Sequence, residues 1–262
     1  MGSVGKQVSM RRIFREHGRA LVVAMDHGVS AGPIEGLEDI RKAVANVAKG
    51  GASAVILHKG LVRFAADSLG NGTSLILHLS ASMTISTRKD RKVLVADVAE
   101  AMAYGPDAIS VHTNMGGDDD ESMLVDLGAT AAACEQMGMP LFVMAYPRGS
   151  NIKDPFGVDV VKHVARTAAE LGADIVKTNY TGSPETFKEV VRGCPVPVLV
   201  AGGPKMESDR AALEMVKGAM LGGAAGVSMG RNIFQHKDPV GMTRAVARIV
   251  FSDADVDDVY RW

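Results

Sequence analysis

A lysine stands where a buried strand should carry only aliphatic side chains. In ELGADIVKTNYTGSP the run DIVKT (174–178) reads as a β-strand, with Lys177 near its end. The commonest role for such a lysine is a salt bridge at a rim. The chemical alternative is a Schiff base: burial disfavours the charged form of an amine, and a neutral amine condenses with a ketone. Cationic neighbours such as Lys59, Arg148 or Arg231 would act in the same direction. A protonated imine draws electrons from the adjacent C–C bond, so the reaction also needs one group to take a proton and one to give it. Asp26 in AMDHG and Tyr146 in MAYPRG are a carboxylate and a phenol available for those tasks.

The glycines suggest a substrate class. VAGGPKMESD (200–209) and SMGRNIFQHKD (228–238) place Gly202 with Gly203, and Gly230 with Arg231, just after two strand candidates. Glycine lets backbone N–H groups approach an anion, and an arginine adds a fork of donors. One glycine pair is also ordinary turn chemistry. Two such loops in succession point to a phosphate, and a sugar phosphate is the natural ligand.

Positioning these groups requires several strand ends at one place. Strand candidates fall at 20–27, 52–58, 74–80, 107–113, 140–146, 174–178, 197–202 and 225–230, separated by stretches of helical period such as GLEDIRKAVANVAKGG and DRAALEMVKGAMLGG. Eight βα units in about 250 residues is the arithmetic of an α/β fold of the (β/α)8 TIM-barrel type, whose strand ends form one mouth. A doubly wound sheet would carry G-x-G-x-x-G in its first βα turn, where this chain reads MDHGVSAGPIEG. Those strand ends supply Asp26, His27, His58, Lys59, His78, His112, Tyr146, Arg148 and Lys177, so the polar residues gather where a barrel enzyme does its chemistry. The stretch 80–106 reads as strand, helix or both. The expectation is a single catalytic domain over 1–262, with 1–18 as a lead-in and 251–262 as a tail.

Composition excludes other classes. With 262 residues and 47% hydrophobic content, the chain can bury about three quarters of its unfolded surface. Its 29 basic and 30 acidic side chains give a net charge of -1, no general field for nucleic acid or an anionic membrane. No apolar run reaches ~20 residues and the start has no apolar signal core, so a cytoplasmic protein is expected. Cys134 and Cys194 read as buried free thiols.

The motifs AMDHGVSAGPIEGL, GGASAVILHKGLVR, MAYPRG, GADIVKTNYTG, VAGGPK and GRNIFQHKDP resemble the archaeal-type class I aldolase family, in the family's order and over about residues 10–250. The resemblance implies a TIM barrel that assembles as a homo-oligomer of pentameric rings, up to a decamer. It implies Lys177 as the Schiff-base lysine, Tyr146 as proton donor and Asp26 as proton acceptor. Substrate would be bound by His27, Gly28, Val29 and Ser30, by Pro147 and Arg148, and by Gly202, Gly203, Gly230 and Arg231. The implied reaction is a transaldol transfer from 6-deoxy-5-ketofructose 1-phosphate to L-aspartate 4-semialdehyde, an early step towards 3-dehydroquinate and the aromatic amino acids. It takes no metal and no organic cofactor, because the imine is the electron sink.

Relatives in the same chemistry join dihydroxyacetone phosphate to aspartate semialdehyde, or cleave fructose 1,6-bisphosphate. A zinc-dependent aldolase built on His27, His58, His78 and His112 is a further reading, although they lie on separate strands without local ligand spacing. A non-catalytic sugar-phosphate binder would not need lysine, phenol and carboxylate together. GGDDDES (116–122) reads as a solvated helix start, TRKDRK (87–92) as a solvated turn, and the methionines as core filling. The tail's two aromatics, Tyr260 and Trp262, read as exposed and available to a subunit contact.

Overall fold

The computed structural model describes residues 3–69 and 72–260. Eight parallel strands close a barrel: β1 (Ala20–Ala24), β2 (Ala54–Leu57), β3 (Ser74–His78), then, past a short ribbon of β4 (Ser80–Ala81) and β5 (Val93–Leu94), β6 (Ala108–Met115), β7 (Leu141–Pro147), β8 (Ile175–Thr178), β9 (Val198–Ala201) and β10 (Gly226–Met229). Around the ring the order is β1-β10-β9-β8-β7-β6-β3-β2. All eight barrel strands expected from the sequence are present, several a residue or two shorter. The strand expected at 20–27 stops at Ala24, which leaves Asp26 in the turn beyond it and His27 at the start of a short helix.

Alternation along each strand divides the core in two. Ala20, Val22, Ala24, Ala54, Ile56, Ile76, Phe142, Met144, Ile175 and Leu199 belong to the cluster inside the barrel. Leu21, Val23, Val55, Leu57, Leu77, Val143, Val176 and Val200 pack outward against the helices. The same parity carries to the C-terminal ends of the strands. Lys177 follows Ile175 inward, Tyr146 follows Phe142 and Met144, and His78 follows Ile76. Phe142 is fully buried, and truncating such a ring to alanine costs roughly 3–5 kcal/mol.

Helices begin where the sequence supplies caps. Asp39 accepts from Lys42 N ahead of Ile40–Gly50, Ser183 from Thr186 N ahead of Pro184–Gly193, and Ser208 from Ala211 N ahead of Asp209–Leu221. The lead-in forms the helix Val4–Ile13, whose Ile13 is wholly buried against the interior cluster at the foot of the barrel. Its Lys6 is buried and paired with Glu135 at 2.7 Å and Asp174 at 2.9 Å. Cys134 and Cys194 are buried and free. At the other end Tyr260 is exposed, while Trp262 lies outside the described residues. No helix among the described residues is long and apolar enough to cross a membrane.

The undecided stretch 80–106 is a loop excursion. β4 and β5 pair antiparallel, Ser80 opposite Leu94, and the helix Val98–Met102 follows. The segment between the two short strands, 82–92, folds over the barrel mouth and contains TRKDRK.

Candidate functional site

The C-terminal strand ends open into a cavity of about 640 Å³. Lys177, Asp26, Tyr146, His27, Ser30, Pro147, Arg148, Gly202, Gly203, Gly230 and Arg231 all line it. Gly28 and Val29 do not: they sit on the exposed side of the short helix His27–Ala31. Lys59 is also outside, its ammonium bound to Val95 O at 2.8 Å and to Glu100 at 2.7 Å.

Lys177 is 7% exposed. Among the described residues its ammonium has neither an ion-pair nor a hydrogen-bond partner, which is unusual for a buried lysine. Asp26 precedes the helix His27–Ala31 without capping it, so its carboxylate faces the mouth. Burial pushes the Asp26 carboxyl up, but His78, His27, Lys177 and His58 together pull it well below the usual carboxylate range. Asp26 is therefore an anion at neutral pH despite its surroundings.

The four mouth histidines are neutral at that pH, because burial disfavours each imidazolium. It pushes His78 down to about 3 and His112 well below its ordinary value, and lowers His27 and His58. They act as packing and hydrogen-bonding walls. His58 and His78 meet edge to face at 5.1 Å, His112 lies 5.0 Å from the Tyr146 ring, and His112 Nε2 is 2.8 Å from Asn114 Oδ1. Among the described residues no group of three or more His, Cys, Asp and Glu is placed to hold a metal ion.

The β9 and β10 loops form a tight corner. A Cβ on Gly230 would lie 2.7 Å from His27 Cε1 and 2.8 Å from the Ala24 carbonyl, so only glycine brings this backbone so close. Asn232 holds the other loop, donating from Nδ2 to Gly202 O at 2.9 Å and Pro204 O at 3.0 Å. Arg231 Nε and Ser228 Oγ are buried without a hydrogen-bond partner beside this corner. Burial lowers the Arg231 pKa, while the nearby Tyr146 favours the guanidinium's charge. Buried donors without partners are the usual mark of a ligand's place.

TRKDRK is the solvated turn expected from its charge over 87–90, with Thr87, Arg88 and Lys89 exposed, and it lies at the rim of the mouth. Lys89, Asp90 and Lys92 line the cavity, together with Ser82. Their loop has no periodicity, so the sequence does not show its place over the mouth; the one available signal is a long polar segment directly after a barrel strand.

A closed (β/α)8 barrel with an unpaired inward lysine, a carboxylate and a phenol at its mouth is the arrangement of a carbon–carbon lyase or transferase of the Schiff-base type. The family model of DeoC/LacD family aldolases matches residues 20–236, and the chain belongs to that family. A Streptomyces griseus 2-amino-4,5-dihydroxy-6-oxo-7-(phosphonooxy)heptanoate synthase is 39% identical over 88% of this chain and 85% of its own. A Halobacterium salinarum 2-amino-3,7-dideoxy-D-threo-hept-6-ulosonate synthase is 38% identical over 97% of this chain and 95% of its own. Among solved structures, a Schiff-base-forming fructose 1,6-bisphosphate aldolase is similar with a TM-score of 0.87 and 29% identity, covering 94% of this chain and 99% of that one.

Proposed function

We propose that the protein is a lysine Schiff-base transaldolase that makes 2-amino-3,7-dideoxy-D-threo-hept-6-ulosonate from 6-deoxy-5-ketofructose 1-phosphate and L-aspartate 4-semialdehyde. The observation that carries this reading is Lys177: buried, directed inward by strand parity, without a protein partner, and sharing one cavity with Asp26 and Tyr146. The 38% identical synthase of that name supports the choice of product.

In this mechanism Lys177 Nζ condenses with the C5 ketone of the donor and water leaves. The protonated imine takes up the electron pair of the C3–C4 bond. Asp26, held ionised, accepts the C3 hydroxyl proton as that bond breaks, and hydroxypyruvaldehyde phosphate departs. The enamine of hydroxyacetone remains on Lys177. Its carbon attacks the aldehyde of aspartate semialdehyde, Tyr146 supplies the proton to the new hydroxyl oxygen and recovers it from protonated Asp26 by way of water, and hydrolysis of the resulting imine frees the seven-carbon product and the Lys177 amine. Gly202, Gly203, Gly230 and Arg231 are assigned to the donor's phosphate, with His27, Ser30 and Pro147 walling the site. A cytoplasmic homo-oligomer belongs to the same proposal, supported by the buried free thiols and by the family resemblance.

A second reading takes dihydroxyacetone phosphate as donor. It is favoured by the position of the glycine corner on β9 and β10, beside the lysine strand, which suits a phosphate on the retained ketone half. The 39% identical synthase names a product with that phosphate. Incubating the enzyme with aspartate semialdehyde and each donor, and weighing the products, separates the readings. The proposal requires an unphosphorylated seven-carbon amino keto acid from 6-deoxy-5-ketofructose 1-phosphate; a phosphorylated product formed only from dihydroxyacetone phosphate would replace it with the second reading.

A further inference from the structure

The cavity has a second charged wall that neither Lys177 nor the glycine corner uses. The loop between β4 and β5 brings Lys92 and Asp90 to the cavity, and Arg148 stands beside them at the end of β7. Lys92 Nζ is hydrogen-bonded to Ser82 Oγ, and among the described residues it has no carboxylate at ion-pair distance. Burial lowers its pKa and Arg148 adds to the shift, against the pull of Asp26 and Asp90, as for a cation kept partly out of water. Asp90 Oδ1 lies 3.9 Å from Arg148 Nη1. The loop is anchored rather than draped: Asn114 Nδ2 donates to the Asp90 carbonyl at 2.6 Å, and Asn114 is held by His112.

Barrel order places this wall. The loop springs from between β3 and β6, which face β9 and β10 across the ring, with β8 and its Lys177 on one arc between them. The mouth thus has two poles. One, Arg231 with the glycines, is purely a donor of positive charge. The other sets the cations Lys89, Lys92 and Arg148 around one carboxylate, Asp90, which lies 3.9 Å from Arg148 Nη1. A phosphate would use only the cations and leave Asp90 without a partner, whereas an α-amino acid carries an anion and a cation on one carbon and meets both signs.

We infer that Lys92, Arg148 and Asp90 read the amino-acid head of the aldehyde acceptor, Lys92 and Arg148 holding its α-carboxylate and Asp90 its α-ammonium. This rests on the proposed function, in which the acceptor is aspartate semialdehyde, and it makes the loop after β3 the element that selects the acceptor. A non-amino aldehyde leaves Asp90 facing Arg148 alone.

Steady-state kinetics of the full-length enzyme with two acceptors test it: aspartate semialdehyde, and succinate semialdehyde, which keeps the carboxylate and lacks the amine. Borohydride trapping of hydroxyacetone on Lys177 serves as the control, because that donor fragment has no charged head. Lys92→Gln should raise KM for both acceptors, by about ten- to a hundredfold as expected for a lost charge-assisted hydrogen bond. Lys92→Arg should restore most of it. Asp90→Asn should raise KM for aspartate semialdehyde by roughly tenfold and spare succinate semialdehyde. Trapping should be equal in all these forms. An unchanged acceptor KM in Lys92→Gln, or an equal loss for both acceptors in Asp90→Asn, would overturn the assignment while leaving the Schiff base standing. Failure of the parent enzyme to trap hydroxyacetone would instead remove the proposed function and this inference with it.

Discussion

His78 links the carboxylate of Asp26 to the barrel wall: its Nε2 lies 3.8 Å from Asp26 Oδ2, and its Nδ1 is 2.8 Å from Ser110 Oγ. With His78 neutral, Asp26 is the charged member of the pair at neutral pH, and the imidazole is fixed by the β6 hydroxyl.

The buried histidines make stability depend on pH. The folded His78 titrates near 3, below its unfolded value of about 6.5, so between those pH values the unfolded chain binds a proton that the folded chain refuses. Stability is full above the unfolded value and is lost as pH falls through that window, by at most about 1.4 kcal/mol per pH unit for each such group. His27, His58 and His112 shift in the same direction. Urea midpoints at pH 7, 5 and 4 should fall in that order, and more shallowly in His78→Gln. A pH-independent midpoint would contradict the neutral assignment.

Asp26→Asn separates proton transfer from imine formation. The amide cannot accept the C3 hydroxyl proton, so turnover should drop about 10²- to 10⁴-fold. Borohydride trapping of a ketone on Lys177 should persist. A variant with near-normal turnover would take the proton acceptor's role from Asp26.

Arg231→Ala removes charge-assisted hydrogen bonds worth roughly 1.5–3 kcal/mol, about ten- to a hundredfold in binding. The loss should fall on the phosphorylated donor and spare aspartate semialdehyde, and part of it should appear in kcat, since remote binding energy positions the reacting carbons. Equal weakening of both substrates would end the phosphate assignment.

Gly230→Ala tests the closeness of the corner. The added Cβ meets the Ala24 carbonyl at 2.8 Å and His27 Cε1 at 2.7 Å, and the carbonyl belongs to a barrel strand that cannot yield cheaply. Overpacking of this kind costs typically about 1–3 kcal/mol, so a lower melting temperature together with weaker donor binding is expected. An unchanged donor KM would show that the corner does not touch the substrate.

The barrel was legible because parallel strands buried on both faces read as dense aliphatic runs, and because each was bounded by turn residues. The mouth residues on those strands were legible for the same reason: Lys177, His78 and His112 stand near the ends of largely aliphatic runs, and parity turns them inward. Asp26 and His27 reach the mouth as expected, but beyond the strand rather than on it, since MDH continues the apolar pattern although the pairing ends at Ala24. Lys92 and Asp90 were illegible. Their loop pairs through two residues on each side, β4 with β5, and its place over the mouth depends on Asn114 and His112, contacts distant in sequence. Gly28 and Val29 lie within a matching motif, yet the short helix turns them away from the cavity.

The most direct test of the central claim is a peptide map after borohydride reduction in the presence of 6-deoxy-5-ketofructose 1-phosphate. Reduction makes the imine irreversible, so the enzyme should be inactivated with the hydroxyacetone-derived fragment on the peptide containing Lys177, and Lys177→Arg, whose guanidinium cannot form the imine, should neither turn over nor take up label. A stoichiometric adduct on Lys92, Lys59 or Lys205, or full activity after reduction, would contradict it.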